Sequence, residues 1–446
     1  MSAAIAARRY GLEVTVVDDQ PTPGGQIWRS VEQAARRDEI LGPSYVEGRA
    51  VAEAFRASGV VYHPGGQLWE IEPGFRAFVS CDQQAHVIEA KAVILATGAQ
   101  ERPVPFPGWT LPGVMTVGAA QILLKNAGQI PSGQVWIAGS GPLPLLYTVQ
   151  LLRAGGQVAG YLDTTPAGQW VTALRHLPRA LRASADLVKG LGWMATLSKN
   201  AGLIRGVVDL EALGEQRIEA LRYRTRVGVT ATVGASTLLV HEGVVPNIHT
   251  ALAVGCNVVW NSAQDCFAPV VDKWGESSRE NLYIVGDGAG IAGAKAAQLR
   301  GTLAALGIAA KLGRTSASET ASAGQRVRQM LHRELAARPF LDAMFKPRSR
   351  VFAPTDETIV CRCEEITAGQ LRALATVGQP GPNQLKAATR AGMGPCQGRQ
   401  CGYTVTRILS AMQNRQPSEV GFFHIRSPLK PVTLGELASL NDPTGR

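Results

Sequence analysis

The sequence predicts an α/β protein with two dinucleotide-binding domains and a small helical C-terminal domain built around four cysteines. Three apolar strands each run into a glycine turn, at Leu95 to Gly98, Ala138 to Gly141 and Val285 to Asp287. In open α/β sheets, nucleotides bind at such turns beyond the carboxyl ends of the strands. The other observation is a cysteine pattern, Cys361-x-Cys363 and Cys396-x4-Cys401, with 32 residues between the two pairs.

Composition bounds the class of protein. The chain of 446 residues, with 45% hydrophobic residues and 49 Gly, is long enough for two or three domains. It has no run of 18 apolar residues, and seven cysteines argue against a disulfide framework. The charges of the first nine residues follow the apolar run, the reverse of a signal peptide, so we expect a cytoplasmic protein. The net charge of +10 comes from scattered Arg and indicates no nucleic-acid site, leaving an acidic partner or membrane headgroups as alternatives.

The N-terminal segment predicts part of a nucleotide-binding unit. Residues 2–10 have the pattern of an Ala-rich helix, and residues 14–17 that of a buried parallel strand. The strand ends at Asp18-Asp19, where an acid accepts the hydroxyls of an adenosine ribose. The offset does not choose between the two carboxylates. Gly24-Gly25-Gln26 follows. The order of strand, acid and glycine pair disfavours the alternative that Asp18-Asp19 is a surface turn without a function.

The usual opening of the unit is missing. Such a unit begins with a strand and a G-x-G-x-x-G turn that holds the pyrophosphate, whereas Met1 falls where the next helix is already under way. Related chains read on from that turn into Ser2-Ala3-Ala4. We therefore expect an N-terminal truncation or a misassigned start codon, and an affinity for the cofactor that depends on the upstream segment.

Two further turns complete the first domain. Lys91 to Ala99 reads as a buried strand ending at Ala96-Thr97-Gly98, and Asn281 to Gly290 as a strand that delivers Gly286-Asp287 to a helix over 292–312. Asp287 can accept a hydroxyl hydrogen bond while backbone N–H groups face phosphate.

A second nucleotide unit begins at Val135. Strand, Gly139-x-Gly141 and helix come in the expected order, but Pro144 replaces the third glycine of the fingerprint. Asp163, 22 positions past Gly141, stands where an acid favours NAD over NADP. A working NAD site, a bound adenine nucleotide without hydride transfer, and retention of the domain for structural reasons all remain open. His241, at the return to the first domain, is interpreted as a hydrogen-bonded residue at a strand end.

The four cysteines suit a [2Fe–2S] cluster or a structural zinc, and the tight C-x-C favours iron–sulfur because zinc sites usually space their cysteines more widely. A capping box at Thr367 to Gln370 opens a helix after the first pair, and we expect Cys401 at a helix N-terminus, where the macrodipole stabilises a thiolate.

These residues resemble known families. Gly24-Gly25-Gln26 and Ala96-Thr97-Gly98 are similar to the loops of glutathione-reductase-like flavoproteins that lie along the ADP portion and approach the cofactor. With Asp287 on a ribityl hydroxyl, the resemblance implies FAD and a two-dinucleotide-binding-domain flavoprotein fold. Val360 to Leu409 resembles the bacterioferritin-associated-ferredoxin-like [2Fe–2S] domain.

Cys361 to Glu365 together with Ala391 to Arg399 more closely resemble the flavoprotein subunits of bacterial opine oxidases, hydroxyproline dehydrogenase complexes and hydrogen cyanide synthase. The resemblance implies an electron relay that works with a D-amino-acid-oxidase-like flavoprotein and a small ferredoxin-like subunit. It further implies peripheral association with the inner membrane through the electron acceptor. The candidate substrates are octopine, nopaline, hydroxyproline and glycine, and no residue distinguishes them.

No catalytic residue can be assigned. Cys81, Cys256 and Cys266 form no close pair that could reduce a disulfide, and no Ser-His-Asp set, H-E-x-x-H or P-loop is present. The alternatives are a self-contained NAD(P)H-dependent reductase and a non-catalytic scaffold with a structural metal. We expect the FAD domain at 1–130 and, after the chain returns to it, at 246–312, with the inserted nucleotide domain at 131–245. A linker with a helix at 313–356, the [2Fe–2S] domain at 357–415 and a tail at 416–446 follow.

Overall fold

The computed structural model describes residues 1–33 and 37–440, and for residues 183–186 the backbone alone. Residues 1–130 alternate helices and strands: α1 (Ser2–Arg9), β1 (Thr15–Asp18), α2 (Asp38–Leu41), α3 (Pro43–Arg56), β2 (Val61–Pro64), β3 (Gln67–Glu72), β4 (Arg76–Cys81), β5 (Gln84–Glu89), β6 (Val93–Leu95), β7 (Ala99–Glu101), β8 (Val114–Thr116) and α4 (Val117–Ala127).

The first strand pairs in parallel with β2 alone among the described residues. The expected parallel strand at 14–17 is present, but the expectation that it is buried is wrong: β1 is half-buried and Thr15 is exposed. Strands β3, β4 and β5 form an antiparallel meander beside it.

The second domain is a five-stranded parallel sheet with strand order β11-β10-β9-β15-β8. Because β8 joins this sheet, the domain starts before the expected boundary at residue 131. An antiparallel sheet, β12-β13-β14, is inserted in the chain between its strands β11 and β15. The elements are β9 (Val135–Ser140), α5 (Pro142–Arg153), β10 (Gly160–Asp163), α6 (Gln169–Leu174), α7 (Leu177–Ala180), α8 (Ser184–Asn200), β11 (Leu203–Arg205), β12 (Val207–Leu213), β13 (Ala220–Thr225), β14 (Thr230–Gly234) and β15 (Thr237–Glu242).

The chain then returns to the first domain. The elements are β16 (Val244–Pro246), α9 (His249–Ala253), β17 (Val258–Asn261), β18 (Cys266–Pro269), β19 (Leu282–Ile284) and α10 (Ala294–Lys311). Strand β16 crosses back antiparallel to β7, and β19 lies parallel to β6. The small residues of α10 let it pack closely on α1, where a Cβ at Gly301 would lie 3.2 Å from that of Ala3.

The last segment differs from expectation in two places. Within the linker expected at 313–356, Ser316 and Glu319 form a capping box, so its helix already starts at Ala317. The expected tail packs back on the first domain through a helix beside β5, and its residues 441–446 lie outside the described part. The elements are α11 (Ala317–Glu334), α12 (Arg338–Met344), β20 (Ile359–Cys361), β21 (Ile366–Thr367), α13 (Ala368–Ala375), α14 (Pro382–Thr389), α15 (Gly402–Gln413), α16 (Pro417–Val420) and α17 (Leu434–Ser439).

Candidate functional site

Two of the predicted glycine turns lie side by side. Because β6 and β19 are parallel neighbours, with Leu95 opposite Ile284, their carboxyl ends meet at one edge. A Cβ at Gly288 would lie 3.1 Å from Thr97 Oγ1, so the two turns touch. Gly98 has a φ of +65° and its carbonyl accepts the N–H of Asn247 at 2.9 Å. The structure thus brings together Ala96-Thr97-Gly98 and Gly286-Asp287.

Asp287 organises the loop that leads into α10. Its Oδ1 accepts the backbone N–H groups of Ala292 at 2.8 Å and Gly293 at 2.9 Å. These two donors are therefore engaged within the loop, and the expectation that backbone N–H groups at this helix start face a phosphate stays a prediction. Arg300 braces the same loop by donating to the carbonyls of Gly286, at 2.9 Å, and Gly290. Burial lowers the pKa of Arg300, and the nearby Asp287 opposes that shift.

The two candidate ribose acids have different surroundings. Asp18 lies at the end of β1, and burial raises its pKa. Burial works in the same direction at Asp19, but hydrogen bonds from Lys430 and Gln20 outweigh it, so the pKa of Asp19 is lowered. Lys430 Nζ lies 2.7 Å from Asp19 Oδ2. The side chain of Asp19 is thus already paired with the C-terminal segment.

The Gly24-Gly25-Gln26 loop turns sharply beside β1. Gly24 has a φ of +131°, and a Cβ there would lie 2.1 Å from the Trp28 carbonyl oxygen, so only glycine fits. The Gln26 carbonyl accepts Lys125 Nζ at 3.0 Å. Lys125 is almost fully buried, and burial lowers its pKa to about 7. Sequence reasoning missed this lysine because it lies on α4, in an apolar helical pattern.

The second glycine turn connects β9 to α5. A Cβ at Gly139 would lie 2.4 Å from the His241 carbonyl oxygen, and Gly141 precedes the helix with a φ of +109°. Below the turn, His241 Nδ1 pairs with Glu101 Oε1 at 2.7 Å. The hydrogen-bonded interpretation of His241 therefore agrees with the structure. Asp163 ends β10, and its Oδ1 accepts the N–H of Thr165 at 2.9 Å.

Two prolines occupy the first turn of α5. The helix begins at Pro142, so Pro142 and Pro144 fill its first and third positions. A helix offers an anion the N–H groups of its first turn, and proline has none. Half of the four donors at this helix start are therefore absent.

The four predicted cluster cysteines lie together as two pairs. Within the described residues, no three of His, Cys, Asp and Glu surround a single point as metal ligands. Cys401 lies against Cys361 and lowers its pKa to about 6, assisted by N–H groups of the surrounding loop and opposed by burial. Cys363 lies against Cys396, and burial raises its pKa. Two pairs of thiols suit a binuclear cluster, in which four cysteines serve two irons, better than a single tetrahedral zinc.

Close contacts shape the loop around the cysteines. A Cβ at Gly394 would lie 2.3 Å from Cys363 Cβ, and one at Gly398 would lie 2.4 Å from the ring of Phe423. Cys401 precedes α15 directly, and Thr367 with Gln370 forms a capping box at α13, both as expected. At Gly394 and Gly398 the loop packs so closely on its neighbours that only glycine fits.

The cysteine loop rests on the first domain close to the paired turns. Gln100, two residues after Gly98, donates from Nε2 to the Arg399 carbonyl at 3.0 Å. His249 is 1% exposed and lies edge-on to Phe422 at 5.8 Å. Burial, assisted by the charge of Arg399, lowers the pKa of His249 to about 3, so the ring is neutral.

Several polar atoms at this junction are buried without a hydrogen-bond partner among the described residues. They are Asn247 Oδ1, both ring nitrogens of His249, Gln397 Oε1 and the Tyr403 hydroxyl. Buried polar groups are nearly always paired, so these atoms are available to a water molecule or to a bound group at the junction. Sequence reasoning gave these side chains no role: Asn247, His249 and Tyr403 are single polar positions in otherwise ordinary segments, and Gln397 was noted only as part of the cysteine motif.

The family of the chain follows from comparison with known proteins. The model of the pyridine nucleotide-disulphide oxidoreductase family matches residues 1–301, and that of the BFD-like [2Fe-2S] binding domain matches residues 359–411. The chain therefore belongs to the pyridine nucleotide-disulphide oxidoreductase family and carries a BFD-like domain. Its cofactors are FAD and a [2Fe–2S] cluster, and the predicted fold class is confirmed.

Particular relatives narrow this class. The chain is 43% identical to an opine oxidase subunit of Rhizobium meliloti, over 99% of this chain and 85% of the relative. It is 31% identical to the hydrogen cyanide synthase subunit HcnB of Pseudomonas aeruginosa, over 99% and 96%. The solved structure of L-proline dehydrogenase from P. horikoshii matches 98% of this chain and 76% of that one with a TM-score of 0.72, and at 20% identity it shows the fold alone. The predicted resemblance to the opine oxidase and cyanide synthase flavoproteins is confirmed.

Proposed function

We propose that this chain is the electron-transferring FAD and [2Fe–2S] subunit of a multi-subunit amino or imino acid dehydrogenase. The observation that carries the proposal is the junction: the cysteine loop is hydrogen-bonded to the strand that follows the Ala96-Thr97-Gly98 turn. A cluster so close to a flavin turn suits electron relay better than a structural metal. Relatives named as subunits of opine oxidase and hydrogen cyanide synthase support the assembly.

We assign the ligands of FAD as follows. Asp18 receives the adenosine ribose, rather than Asp19, because Lys430 already occupies the Asp19 carboxylate. The Gly24-Gly25-Gln26 loop lies along the ADP portion. The touching turns at Ala96-Thr97-Gly98 and Gly286-Asp287 receive the flavin end, with Asp287 accepting a ribityl hydroxyl.

We assign Cys361, Cys363, Cys396 and Cys401 as the four cluster ligands. Bound FAD supplies two-electron redox chemistry and the bound cluster supplies one-electron transfer. The protein contributes the arrangement: buried Cys361 and Cys401 anchor the site, while exposed Cys363 lies at its outer side. His249 and Gln100 hold the two sites together.

We propose that a partner subunit, and not this chain, binds and oxidises the amino acid. Recognition of an amino acid carboxylate usually needs an Arg clamp and a placed base. Arg102 and Arg348 are buried, but they donate to Asp265, Gln264, Glu242 and Val208 of the chain itself. We propose that a D-amino-acid-oxidase-like partner oxidises the C–N bond of an opine such as octopine or nopaline, of hydroxyproline or of glycine. We further propose that the complex includes a small ferredoxin-like subunit and that this chain associates peripherally with the membrane.

The test is dye reduction by the isolated chain and by the chain co-expressed with such a partner. We expect no oxidation of any of the four substrates by the isolated chain, and activity with one of them in the complex. Cys396→Ser should abolish the iron–sulfur signal in electron paramagnetic resonance and slow electron exit more than substrate binding. Turnover by the homogeneous isolated chain would place the catalytic site here and refute the assignment, whereas one zinc and no iron would favour a scaffold.

The structure disfavours a self-contained NAD(P)H-dependent reductase on one specific observation. Pro142 and Pro144 remove two N–H donors where a nucleotide pyrophosphate would meet α5. We propose that the second site is retained without fast hydride transfer, with or without an adenine nucleotide on Asp163.

A further inference from the structure

The crossover between β10 and β11 is longer than the fold requires. It spans residues 164–202, whereas a crossover of about a dozen residues can connect two parallel strands. It folds into α6, α7 and α8. The first two of these pack against α12 and α8 packs against α5, so the segment is anchored on one side.

The other side of this crossover exposes large apolar side chains on α6, on α8 and in the turn that follows α7. Trp170 is 58% exposed and Leu191 66%. Trp170 and Leu174 are four residues apart on α6, and Val188 and Leu191 three apart on α8, so each pair shares a face. Leu181 and Met194 are exposed as well. Exposed apolar residues are ordinary when single, but a succession of them in one segment indicates a binding surface.

Basic residues alternate with these apolar ones. The crossover contains five Lys or Arg and one acidic residue, Asp186. Arg175 directly follows Leu174, and Arg182 directly follows Leu181. Arg179 and Arg182 are exposed, and neither forms an ion pair with a residue that the structure describes. The surface is therefore both apolar and cationic.

The excess of basic over acidic residues, five against one, favours an anionic lipid surface as the occupant. At a membrane, apolar side chains enter the acyl boundary while adjacent cations reach the headgroup phosphates. In the described residues no helix has the length and apolarity to cross a bilayer, so a membrane contact of this part would lie on the surface.

We propose that residues 164–202 bind the surface of an anionic phospholipid membrane, with Trp170 and Leu191 inserting and Arg179 and Arg182 contacting phosphates. The inference rests on the peripheral location that the proposed function includes, and it is independent of the electron relay. It would place the flavin–cluster subunit beside a membrane-borne electron acceptor.

The experiment is co-sedimentation of the FAD-loaded full chain with vesicles of phosphatidylcholine alone or mixed with phosphatidylglycerol. We expect binding to the anionic vesicles only, weakened by salt, and a blue shift of tryptophan emission that is lost in Trp170→Ser. Arg179→Gln and Arg182→Gln should each lower the partition coefficient about fivefold, the equivalent of one basic residue near an anionic surface. Arg226→Gln with Val227→Ser, an exposed cation and apolar pair on the β13–β14 hairpin, is the matched control and should bind like the unmodified chain.

The outcomes distinguish the peripheral location of the protein from the surface that we propose for membrane binding. No binding by the unmodified chain would overturn both the peripheral location and this surface. Equal binding by the crossover variants would overturn the surface and leave the location standing. Self-association that Leu191→Ser abolishes, without any vesicle binding, would show instead that the face docks a second copy of the chain. Unchanged FAD content and far-ultraviolet circular dichroism would show that the variants are folded.

Discussion

Replacing Asp287 should separate two tasks that this carboxylate performs. Oδ1 accepts two backbone N–H groups of the loop before α10, and we propose that the carboxylate also accepts a ribityl hydroxyl. A hydrogen bond to a charged group contributes about 1.5–3 kcal/mol, so Asp287→Ala should weaken FAD binding about 10- to 150-fold. Asp287→Asn keeps an acceptor oxygen but not the charge. Since neutral hydrogen bonds are about half as strong, it should weaken binding about three- to twelvefold.

The loop itself provides a second readout. Asp287→Ala leaves the N–H groups of Ala292 and Gly293 without their acceptor, and at this half-buried site we expect a loss of about 2 kcal/mol in the free energy of unfolding of the apoprotein. Asp287→Asn should lose far less. Asp272 is the matched control, because its Oδ1 also accepts two backbone N–H groups, those of Trp274 and Glu276, both at 2.8 Å.

Titration calorimetry of the apoprotein with FAD, together with urea unfolding, measures both effects. Asp272→Ala should lose stability and keep its affinity for FAD. If Asp287→Ala weakened FAD binding no more than Asp272→Ala does, Asp287 would be a loop residue only and the proposed contact with the cofactor would be wrong.

Three further predictions concern other sites. Stopped-flow mixing with NADH or NADPH should give no reduction of the bound flavin at catalytic rates, since two of the four N–H donors at the start of α5 are absent. Fast reduction would instead support a self-contained reductase, and Asp163 would then make NADH the preferred donor. Gly394→Ala should lower iron content and the electron paramagnetic resonance signal, because its Cβ would lie 2.3 Å from that of Cys363. Gly234→Ala, where a Cβ meets no atom within 4 Å, should reduce neither, and full iron in Gly394→Ala would show that the close packing of this glycine is not needed for the cluster. The pKa of Lys125 is about 7 in the folded protein, below its value in the unfolded chain. Between about pH 7 and 10 the unfolded chain therefore binds a proton that the folded protein does not, so the free energy of unfolding rises with pH over this range. Relative to Lys125→Met, the native chain should gain about 2 kcal/mol between pH 7 and 9 in urea unfolding, and a flat difference would show that Lys125 stays charged.

The fold and the turns were predictable because their chemistry is local. An apolar strand that runs into glycines at Gly98, Gly141 or Gly286 leaves the backbone few alternatives, and each of these glycines has a positive φ in the structure. The cysteine module was predictable for the same reason, since two close pairs and a capping box at Thr367 fix its start. The boundary at residue 131 was not, because β8 joins the second sheet through pairing with β15, a contact between distant parts of the chain.

The candidate site was predictable in its loops but not in the residues that connect them. No periodicity distinguishes Lys125 from any other helical lysine, and its burial arises only when α4 packs against the Gly24 loop. The pairing of Lys430 with Asp19 joins residues 411 positions apart, so the sequence could not choose between the two ribose acids. The two thiol pairs likewise depend on how the loop after α14 folds back on β20.

The junction connects the proposed flavin and cluster sites through one short segment of the chain. Asn247 is hydrogen-bonded to the Thr97-Gly98 turn through its backbone, and His249, two residues on, lies under the cysteine loop. A neutral histidine buried there can donate from one ring nitrogen and accept at the other. Neither nitrogen makes a hydrogen bond of good geometry within the described residues, but the backbone of Gln397 lies close enough to raise the pKa of the ring against the effect of burial. Loading of FAD should therefore stabilise the cysteine loop as well as its own domain, since one short segment belongs to both sites.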